Sequence, residues 1–296
     1  MNLIFRAIRK LYRLYHNTLY GEILMLHSVV KNRSVLEENR VLEITPDFLE
    51  QTILKYKSAG YRFVSLDEVQ RQLERRKRNS RKFVCFTLDD GFADNYKQAF
   101  PIFKKYSCPF AIYITTDYPD QNAQFWWYQL EELLLKKDQL MINGVEYDCS
   151  DLEKKNKAFW DIREKIFSSD AEMTMTELKQ LFNENDCHTK VHALSWKQIV
   201  ELSADPLCTI GAHSVTHASL PVLSDENIRK ELSEGKKIIE DRIKKTVRHF
   251  AYPYGNWDDR VKNLVMEYYS TAVTTKGGFI KKGDNLFLLN RKTPVE

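Results

Sequence analysis

Short, almost continuously apolar runs alternate with longer amphipathic segments along this chain, and that alternation limits the fold more than any other feature. Apolar runs rich in β-branched and aromatic residues are typical of strands buried on both faces, as in parallel sheets. Strands that alternate with helices predict an α/β fold, and about seven or eight of them fit a barrel better than a short open sheet. The predicted strands are residues 23–26, 62–65, 83–88, 110–115, 208–211, 248–252, 270–274 and 286–289.

One long stretch interrupts this alternation. Residues 117–194 contain helical patterns at 128–137, 152–167 and 176–183 and hardly any strand signal. We therefore predict a single domain over residues 21–296 that carries an α-helical insertion. If the preceding strand ends at the mouth of the barrel, the insertion lies there and can encode substrate selectivity.

The first twenty residues form a separate segment, for which we predict an amphipathic basic helix. Leu3, Ile8 and Leu11 fall on one face, with arginine and lysine on the others. Two interpretations stay open: a helix packed on the domain, and peripheral contact with a membrane surface. Because basic residues interrupt every apolar run, neither a signal peptide nor a membrane span is expected.

The composition excludes several classes of protein. A net charge of +4 is smaller than nucleic-acid binding usually requires, so no nucleic-acid partner is predicted. The five cysteines are odd in number and form no CxxC pair, which excludes a disulfide framework and a zinc-finger pattern. Free cysteines favour a reducing compartment. We therefore expect a cytoplasmic location, or one at the inner membrane surface.

Two adjacent carboxylates, Asp89 and Asp90, follow the predicted strand at 83–88, and Gly91 comes next. The carboxyl ends of the strands form the functional face of α/β barrels. Neighbouring carboxylates repel each other unless a cation neutralises one of them, and a metal ion would leave the second free as a base. Taken alone, a solvated turn explains these residues equally well.

Two histidines, His213 and His217, stand four residues apart after the predicted strand at 208–211. On a helical turn, that spacing places both imidazoles on one face. Two histidines and one carboxylate leave open positions for water and substrate, which is typical of a catalytic metal site.

A third turn follows the predicted strand at 248–252 and reads Tyr-Pro-Tyr-Gly at residues 252–255. Proline fixes such a turn and glycine frees it. Backbone N–H groups at a turn of this kind can form an oxyanion hole. The motif is weak by itself, because many turns after strands look similar.

In combination these motifs resemble those of the polysaccharide deacetylases with a NodB homology domain, the carbohydrate esterase family 4. TLDDG (residues 87–91), HSVTH (213–217) and AYPYG (251–255) occur in the order and spacing of that family, and the resemblance extends over residues 21–292. It implies a distorted (β/α) barrel of about seven strands. It also implies a metal-dependent hydrolase that removes N-acetyl groups from an amino sugar or glycan and releases acetate.

The resemblance also implies roles for individual residues. Asp89 would be the general base, and Asp90, His213 and His217 would hold a divalent metal. That metal is commonly zinc in this family, with nickel or cobalt in some members. The backbone N–H of Tyr254 would lie beside the oxyanion.

The chain departs from the family pattern at two positions. Many members carry an arginine that orients the base at the start of the third motif, where this chain has Ala251; Arg291 is a candidate replacement. Many members also carry a general-acid histidine near the C-terminus, but no histidine follows His249 here. In a branch that resembles exported poly-N-acetylglucosamine deacetylases, this histidine lies near the start. His27 matches that position, so we predict it as the general acid, with a structural histidine as the competing interpretation.

The substrate contacts predicted from the sequence are Tyr254 and Trp257, which lie in and just after the third motif. Two other functions stay open. One is hydrolysis of a non-sugar amide. The other is a glycan-binding or assembly protein that has lost turnover, for which Ala251 is the best support. Bound metal without acetate release from any N-acetylated glycan would favour the latter.

Overall fold

The computed structural model describes residues 19–75, 82–119, 125–168, 170–187 and 191–296. The strands in this part of the chain are β1 (Leu19–Leu26), β2 (Ser28–Val29), β3 (Glu43–Ile44), β4 (Arg62–Phe63), β5 (Phe83–Leu88), β6 (Phe110–Ile114), β7 (Gln139–Ile142), β8 (Val145–Asp148), β9 (Cys208–Ala212), β10 (His249–Ala251), β11 (Thr271–Val273) and β12 (Ile280–Lys281).

Eight of these strands form one curled sheet in the order β11-β10-β9-β6-β5-β1-β12, with β4 paired to the start of β5. Seven of the eight run parallel, and only β12 is antiparallel to its neighbour β1. Side chains along β5 alternate between two apolar layers, since Cys85 packs inside the sheet while Val84 and Phe86 pack towards the outer helices. The predicted barrel of about seven parallel strands is confirmed.

The C-terminal segment links β11 to β1 and so completes the ring. Leu289 bridges Val273 of β11, and Lys292 bridges Leu24 of β1. Residues 286–289 were predicted as a strand, but they form only this isolated bridge. The segment crosses from one strand to another within a few residues, so it cannot run alongside either long enough to form a ladder.

Helices pack around the sheet and over its carboxyl end. They are α1 (Glu37–Arg40), α2 (Pro46–Ser58), α3 (Leu66–Arg75), α4 (Phe100–Lys105), α5 (Trp126–Lys136), α6 (Leu152–Ile166), α7 (Ala171–Glu184), α8 (Trp196–Ala204), α9 (Asp225–Ile243) and α10 (Asp259–Tyr268). A π-helical turn at Asn95–Ala99 precedes α4.

The insertion contains helices α5, α6 and α7 and has its own apolar core. The expectation that residues 117–194 hold hardly any strand was wrong in one place, because β7 and β8 form an antiparallel hairpin. Its turn is Asn143-Gly144, where both residues have positive φ (50° and 71°). An Asn-Gly pair between alternating apolar residues is a strong hairpin signal, so the sequence did carry this information.

The predicted N-terminal helix lies outside the described residues except at its end. There Leu19 and Tyr20, which the prediction included in the helix, belong instead to β1. Within the described ranges, no helix combines the length and apolar character that crossing a membrane requires.

Candidate active site

Asp89 and Asp90 lie directly after β5, at the carboxyl end of the sheet. The N–H of Asp89 still bonds to the carbonyl of Leu26 at the end of β1, and the chain then turns through positive φ at Asp90 and Gly91 (69° each). Both carboxylates are buried, at 2% and 3% exposure. Because Asp90 and Gly91 both adopt the left-handed backbone conformation, the chain turns sharply after Asp89. The adjacent side chains of Asp89 and Asp90 can therefore contact different partners.

His213 and His217 follow β9, the strand that pairs with β6. The segment between them is not helical, so the helical turn expected from their spacing is incorrect. Instead, Ser214 and His217 have positive φ (66° and 62°), and the N–H of His217 bonds to Oγ of Ser214 at 3.0 Å. Glu231 of α9 fixes the loop by accepting hydrogen bonds from both the N–H and the hydroxyl of Thr216.

These two imidazoles and Asp90 converge on one point. Nε2 of His213 lies 3.4 Å and Nε2 of His217 lies 3.2 Å from Oδ1 of Asp90. The two Nε2 atoms are 3.2 Å apart. Nδ1 of His213 lies 2.8 Å from the carbonyl oxygen of Ala251. Because a carbonyl only accepts, this Nδ1 carries the proton, and the neutral ring presents a lone pair at Nε2.

A lone pair directed at a carboxylate oxygen is repulsive unless a cation or a proton lies between them. Oδ1 of Asp90 is buried and has no hydrogen-bond partner in the described part of the chain. Burial would raise the pKa of Asp90, but the charge of His217, the contacts of both imidazoles and the charge of His27 together outweigh it and hold this pKa well below its usual value. One donor atom from each of Asp90, His213 and His217 lies within 4.8 Å of the other two. This donor set therefore fits a divalent cation.

Asp89 is held by Arg291, which lies on the segment that completes the ring. The two terminal nitrogens of Arg291 donate to the two carboxylate oxygens of Asp89 at 2.7 and 2.6 Å. The same guanidinium donates to Thr87 at 3.1 Å and to the carbonyl of Thr274 at 2.9 Å, and the side chain is fully buried. This chain has Ala251 at the position where many members of the resembled family carry an arginine. Arg291 supplies a guanidinium group to Asp89 from a different segment of the chain.

The arginine also sets the charge state of Asp89. Burial alone would raise the pKa of this carboxyl, but the charge and hydrogen bonds of Arg291 lower it below its ordinary value. Asp89 is therefore an ionised carboxylate near neutral pH, and it stands beside the three-residue cluster without belonging to it.

His27 follows β1, which runs parallel to β5 with Leu26 opposite Leu88. This register brings Nε2 of His27 to 3.9 Å from Oδ2 of Asp89, and only 13% of the His27 side chain is exposed. Burial lowers the pKa of His27, and the charge of Asp89 partly opposes that change. The parallel pairing of the two strands places the imidazole at the mouth.

Asp94 and Asn95 hold the backbone of His27 and the two residues after it, a role that the sequence did not indicate. Nδ2 of Asn95 donates to the carbonyl of His27 at 2.7 Å. Asp94 accepts hydrogen bonds from the Ser28 hydroxyl at 2.6 Å and from the Val29 N–H at 2.8 Å. Burial raises the pKa of Asp94 to about 6. The loop that carries the aspartate pair thus also fixes the position of His27.

Tyr254 lies at the edge of the cluster, in a turn where it has positive φ (58°). Its ring centroid is 4.4 Å from that of His217, and its hydroxyl accepts a hydrogen bond from Nε1 of Trp126 at 3.4 Å. Trp257, the second predicted substrate contact, is 37% exposed and does not line the pocket. Its position after the third motif carries it past the mouth of the barrel and onto the surface.

A pocket of about 190 Å³ lies over these residues. His27, the aspartate pair, His213, His217 and Tyr254 line it from the strand ends, and residues of α1, α5 and α6 line it from the insertion side. Sequence patterns did not point to Glu38, Asn39, Phe159 or Arg163 in the latter group, because the contributing segments are far apart in the chain. These additional lining residues are Glu38, Asn39, Trp126, Trp127, Phe159 and Arg163.

Solved structures of similar architecture include known deacetylases. The Streptococcus pyogenes deacetylase PplD, determined in complex with acetate, matches with a TM-score of 0.64 at 21% identity, over 94% of this chain and 93% of its own. IcaB from Ammonifex degensii matches with a TM-score of 0.63 at 18% identity, over 93% and 92%. Both likenesses concern the fold.

Sequence comparison assigns the family. The Bacillus subtilis protein YxkH, whose name refers to polysaccharide deacetylases, is 20% identical over 270 residues, which are 91% of this chain and 69% of that protein. The family model described as polysaccharide deacetylase matches residues 76–273, a range that includes all three motifs and most of the chain. The chain belongs to the polysaccharide deacetylase family.

Proposed function

We propose that this protein is a metal-dependent N-deacetylase that hydrolyses the acetamide group of an N-acetylated sugar or glycan and releases acetate. One observation carries the proposal. Oδ1 of Asp90, which is buried and has no hydrogen-bond partner among the described residues, lies close to the Nε2 atoms of His213 and His217. Beside them is a second carboxylate, Asp89, that an arginine holds in its ionised form. This arrangement separates a cation site from a base, which amide hydrolysis requires.

The proposed cation is zinc, because two imidazoles and one carboxylate form the donor set of catalytic zinc sites and leave room for water and substrate. Nickel and cobalt accept the same donors. When bound, the cation supplies Lewis-acid chemistry: it polarises the acetamide carbonyl and lowers the pKa of water. All further steps belong to side chains of this chain.

Asp89 is the proposed general base. Its carboxylate is ionised near neutral pH, and Arg291 fixes its plane through two hydrogen bonds, so its free lone pairs can take a proton only from one direction. An immobile base of this kind avoids the entropic cost of orienting itself in each turnover. The proposed proton donor to Asp89 is the water molecule that attacks the acetamide carbon.

The backbone N–H of Tyr254 is the proposed donor to the oxyanion. Tyr254 has positive φ in the turn 253–255, so its peptide group points in a different direction from that of a residue in an extended chain. Strained backbone of this kind is common at active sites. The ring of Tyr254 packs against His217, so the turn and the cation site are positioned together.

His27 is the proposed general acid. Because burial lowers its pKa, its imidazole is largely neutral before the reaction and must gain a proton during it. The proton that Asp89 takes from water is proposed to pass to His27 and then to the leaving amine. Nε2 of His27 and Oδ2 of Asp89 are 3.9 Å apart, so this transfer requires the two groups to approach to hydrogen-bond distance or a water molecule between them.

The alternative of a binding protein without turnover rested on Ala251. Arg291 now occupies the role that the missing arginine would have had, so this departure no longer argues against catalysis. The acetate bound by the Streptococcus pyogenes deacetylase is the product expected here and adds support.

The proposed location is the cytoplasm or the inner membrane surface, with peripheral contact through residues 1–20. All five cysteines are free thiols, as expected in a reducing compartment. Cell fractionation with and without residues 1–20 tests both parts of this proposal.

Acetate release from a panel of N-acetylhexosamines and their oligomers tests the function. The purified protein should release acetate and generate a free amine, and metal-stripped protein should regain this activity when zinc is added. Metal binding without any acetate release would refute the proposal and favour a binding role.

A further inference from the structure

The pocket is covered by a roof, which we define as α1, the two residues after it, and the sides of α5 and α6 that face the strand ends. Asn39, Trp127, Phe159 and Arg163 of this roof line the pocket. The cation-site residues lie on the strand-end side of the same pocket, so any substrate must fit between the two layers.

Buried hydrogen bonds fix this roof in place. Glu131 of α5, only 6% exposed, accepts from the N–H groups of Val35 and Leu36 at 2.8 and 3.1 Å. Its other oxygen accepts from the amide of Asn39 at 2.5 Å, and the same amide reaches the carbonyl of Trp127 at 3.0 Å. Hydrogen bonds to an ionised carboxylate are stronger than those between neutral groups, so these contacts hold α1 firmly against α5.

The roof is also joined to the strand-end side at two places. Nε1 of Trp126 donates to the hydroxyl of Tyr254, and the Tyr254 ring lies 4.4 Å from that of Phe167, just after α6. Glu38 and Arg163 approach to 3.9 Å between α1 and α6. These contacts limit the width of the pocket as well as its height.

The volume then limits the substrate. Pockets that bury a drug-sized ligand measure about 300–1,000 Å³, whereas this one measures about 190 Å³. A single pyranose ring with its acetamide fits that space. A polymer chain that continues in both directions from the reacting sugar needs more space than this pocket provides.

The roof also offers hydrogen-bonding groups that the mechanism does not use. Oδ1 of Asn39 and Nε1 of Trp127 are buried and have no hydrogen-bond partner among the residues described. One is an acceptor and the other a donor. A sugar hydroxyl can both donate and accept a hydrogen bond. A small movement of a bound sugar ring or of these side chains would therefore give Oδ1 of Asn39 a donor and Nε1 of Trp127 an acceptor. The neighbouring aromatic faces of Trp126 and Phe159 suit the apolar face of a pyranose.

We infer that this enzyme takes up one N-acetylated sugar residue at a time, and therefore deacetylates a lone sugar or the terminal residue of a chain and not the interior of a polymer. Trp127 is a specificity residue in this arrangement, reading a ring hydroxyl through its indole N–H. The inference rests on the proposed deacetylase activity.

Defined oligosaccharides test the inference on the unmodified protein. The mono-, di- and hexasaccharide of N-acetylglucosamine, and the same series of N-acetylgalactosamine, are incubated with zinc-loaded protein, and free amines are located by tandem mass spectrometry. The hexasaccharide should carry its amine at a terminal residue only. Interior amines would overturn the inference and leave the deacetylase activity standing. No acetate from either series would overturn the deacetylase proposal itself.

A matched pair of variants tests the role of Trp127. Trp127→Phe keeps an aromatic ring and loses one N–H, and it should raise KM for the sugar about ten-fold, the value of one hydrogen bond. The KM for p-nitrophenyl acetate, which has no ring hydroxyl, should change much less than the KM for the sugar. Trp160→Phe, at an exposed position of α6 outside the pocket, is the control. An equal KM in the two variants would refute the assignment of Trp127.

Discussion

Replacement of Arg291 by methionine tests the charge arrangement around the base. Methionine keeps an unbranched apolar stem but removes two hydrogen bonds to Asp89, one to Thr87 and one to the carbonyl of Thr274. The Asp89 carboxylate is then left buried without a compensating charge. Loss of one partner from a buried pair typically costs about 3–5 kcal/mol, and we expect the free energy of unfolding at neutral pH to fall by about that amount.

The pH dependence of this loss gives the sharper test. In the wild type, the lowered pKa of Asp89 contributes stability above the carboxyl's unfolded pKa, and this contribution is lost as pH falls through the folded value. In Arg291→Met, burial acts without the arginine and raises the pKa of Asp89, so the ionised carboxylate destabilises the fold at neutral pH and protonation relieves it. The difference between the two proteins should therefore shrink as pH falls.

Urea denaturation of the metal-free proteins at several pH values measures that difference. Arg291→Met in an Asp89→Asn background is the control, because a neutral amide leaves no buried charge behind, and the substitution should cost much less there. A stability loss that is the same in both backgrounds, or that does not vary with pH, would show that Arg291 acts by packing alone. In activity assays, the acidic limb of the kcat/KM profile of Arg291→Met should move to higher pH.

Five further substitutions test the remaining roles. Alanine at Asp90, His213 or His217 should abolish tight metal binding in each case, because two protein ligands are too few; full metal occupancy by elemental analysis in all three would sink the assignment. Asp89→Asn should keep metal and fold and lose about 10²–10⁴-fold in turnover, the usual worth of a general base; a value close to wild type would place the base elsewhere. His27→Ala should lower kcat strongly for amides and little for an activated ester, and equal losses on both would indicate a structural histidine.

The helical insertion gives this site its particular character. The strand ends carry the proposed cation site and base, while residues of α1 and the insertion line the other part of the pocket. Removal of the roof would leave an open strand-end face. On the inference made above, substrate size is set by residues outside the three motifs that identify the family.

Much of the cation site follows from the sequence alone. Asp89 and Asp90 follow one apolar strand, and His213 and His217 lie within five residues of the end of another. The carboxyl ends of parallel strands meet at one face of a sheet. The same rule explains why His27 lies at the mouth, because this residue follows β1, which pairs in parallel with β5. This prediction did not require the order of the strands, because the carboxyl ends of all parallel strands lie on the same side of the sheet.

Local conformation was harder to predict even where the residues were identified. The loop from His213 to His217 is not a helical turn but contains two residues with positive φ. Its shape depends on Glu231, which approaches from α9. The hairpin at Asn143-Gly144 was missed for a different reason: its local signal was present but was outweighed by the helical patterns on both sides.

Only the tertiary structure decided which arginine holds the base and what covers the pocket. Arg291 is 202 residues from Asp89 in the chain, and it reaches the carboxylate because a segment without strand pairing of its own closes the ring between β11 and β1. The roof likewise joins residues 35–39 to α5 through Glu131. Helices and strands follow from periodic patterns over a few residues. Contacts of this range depend on how all the elements bury their apolar surfaces together, and no local pattern records that outcome.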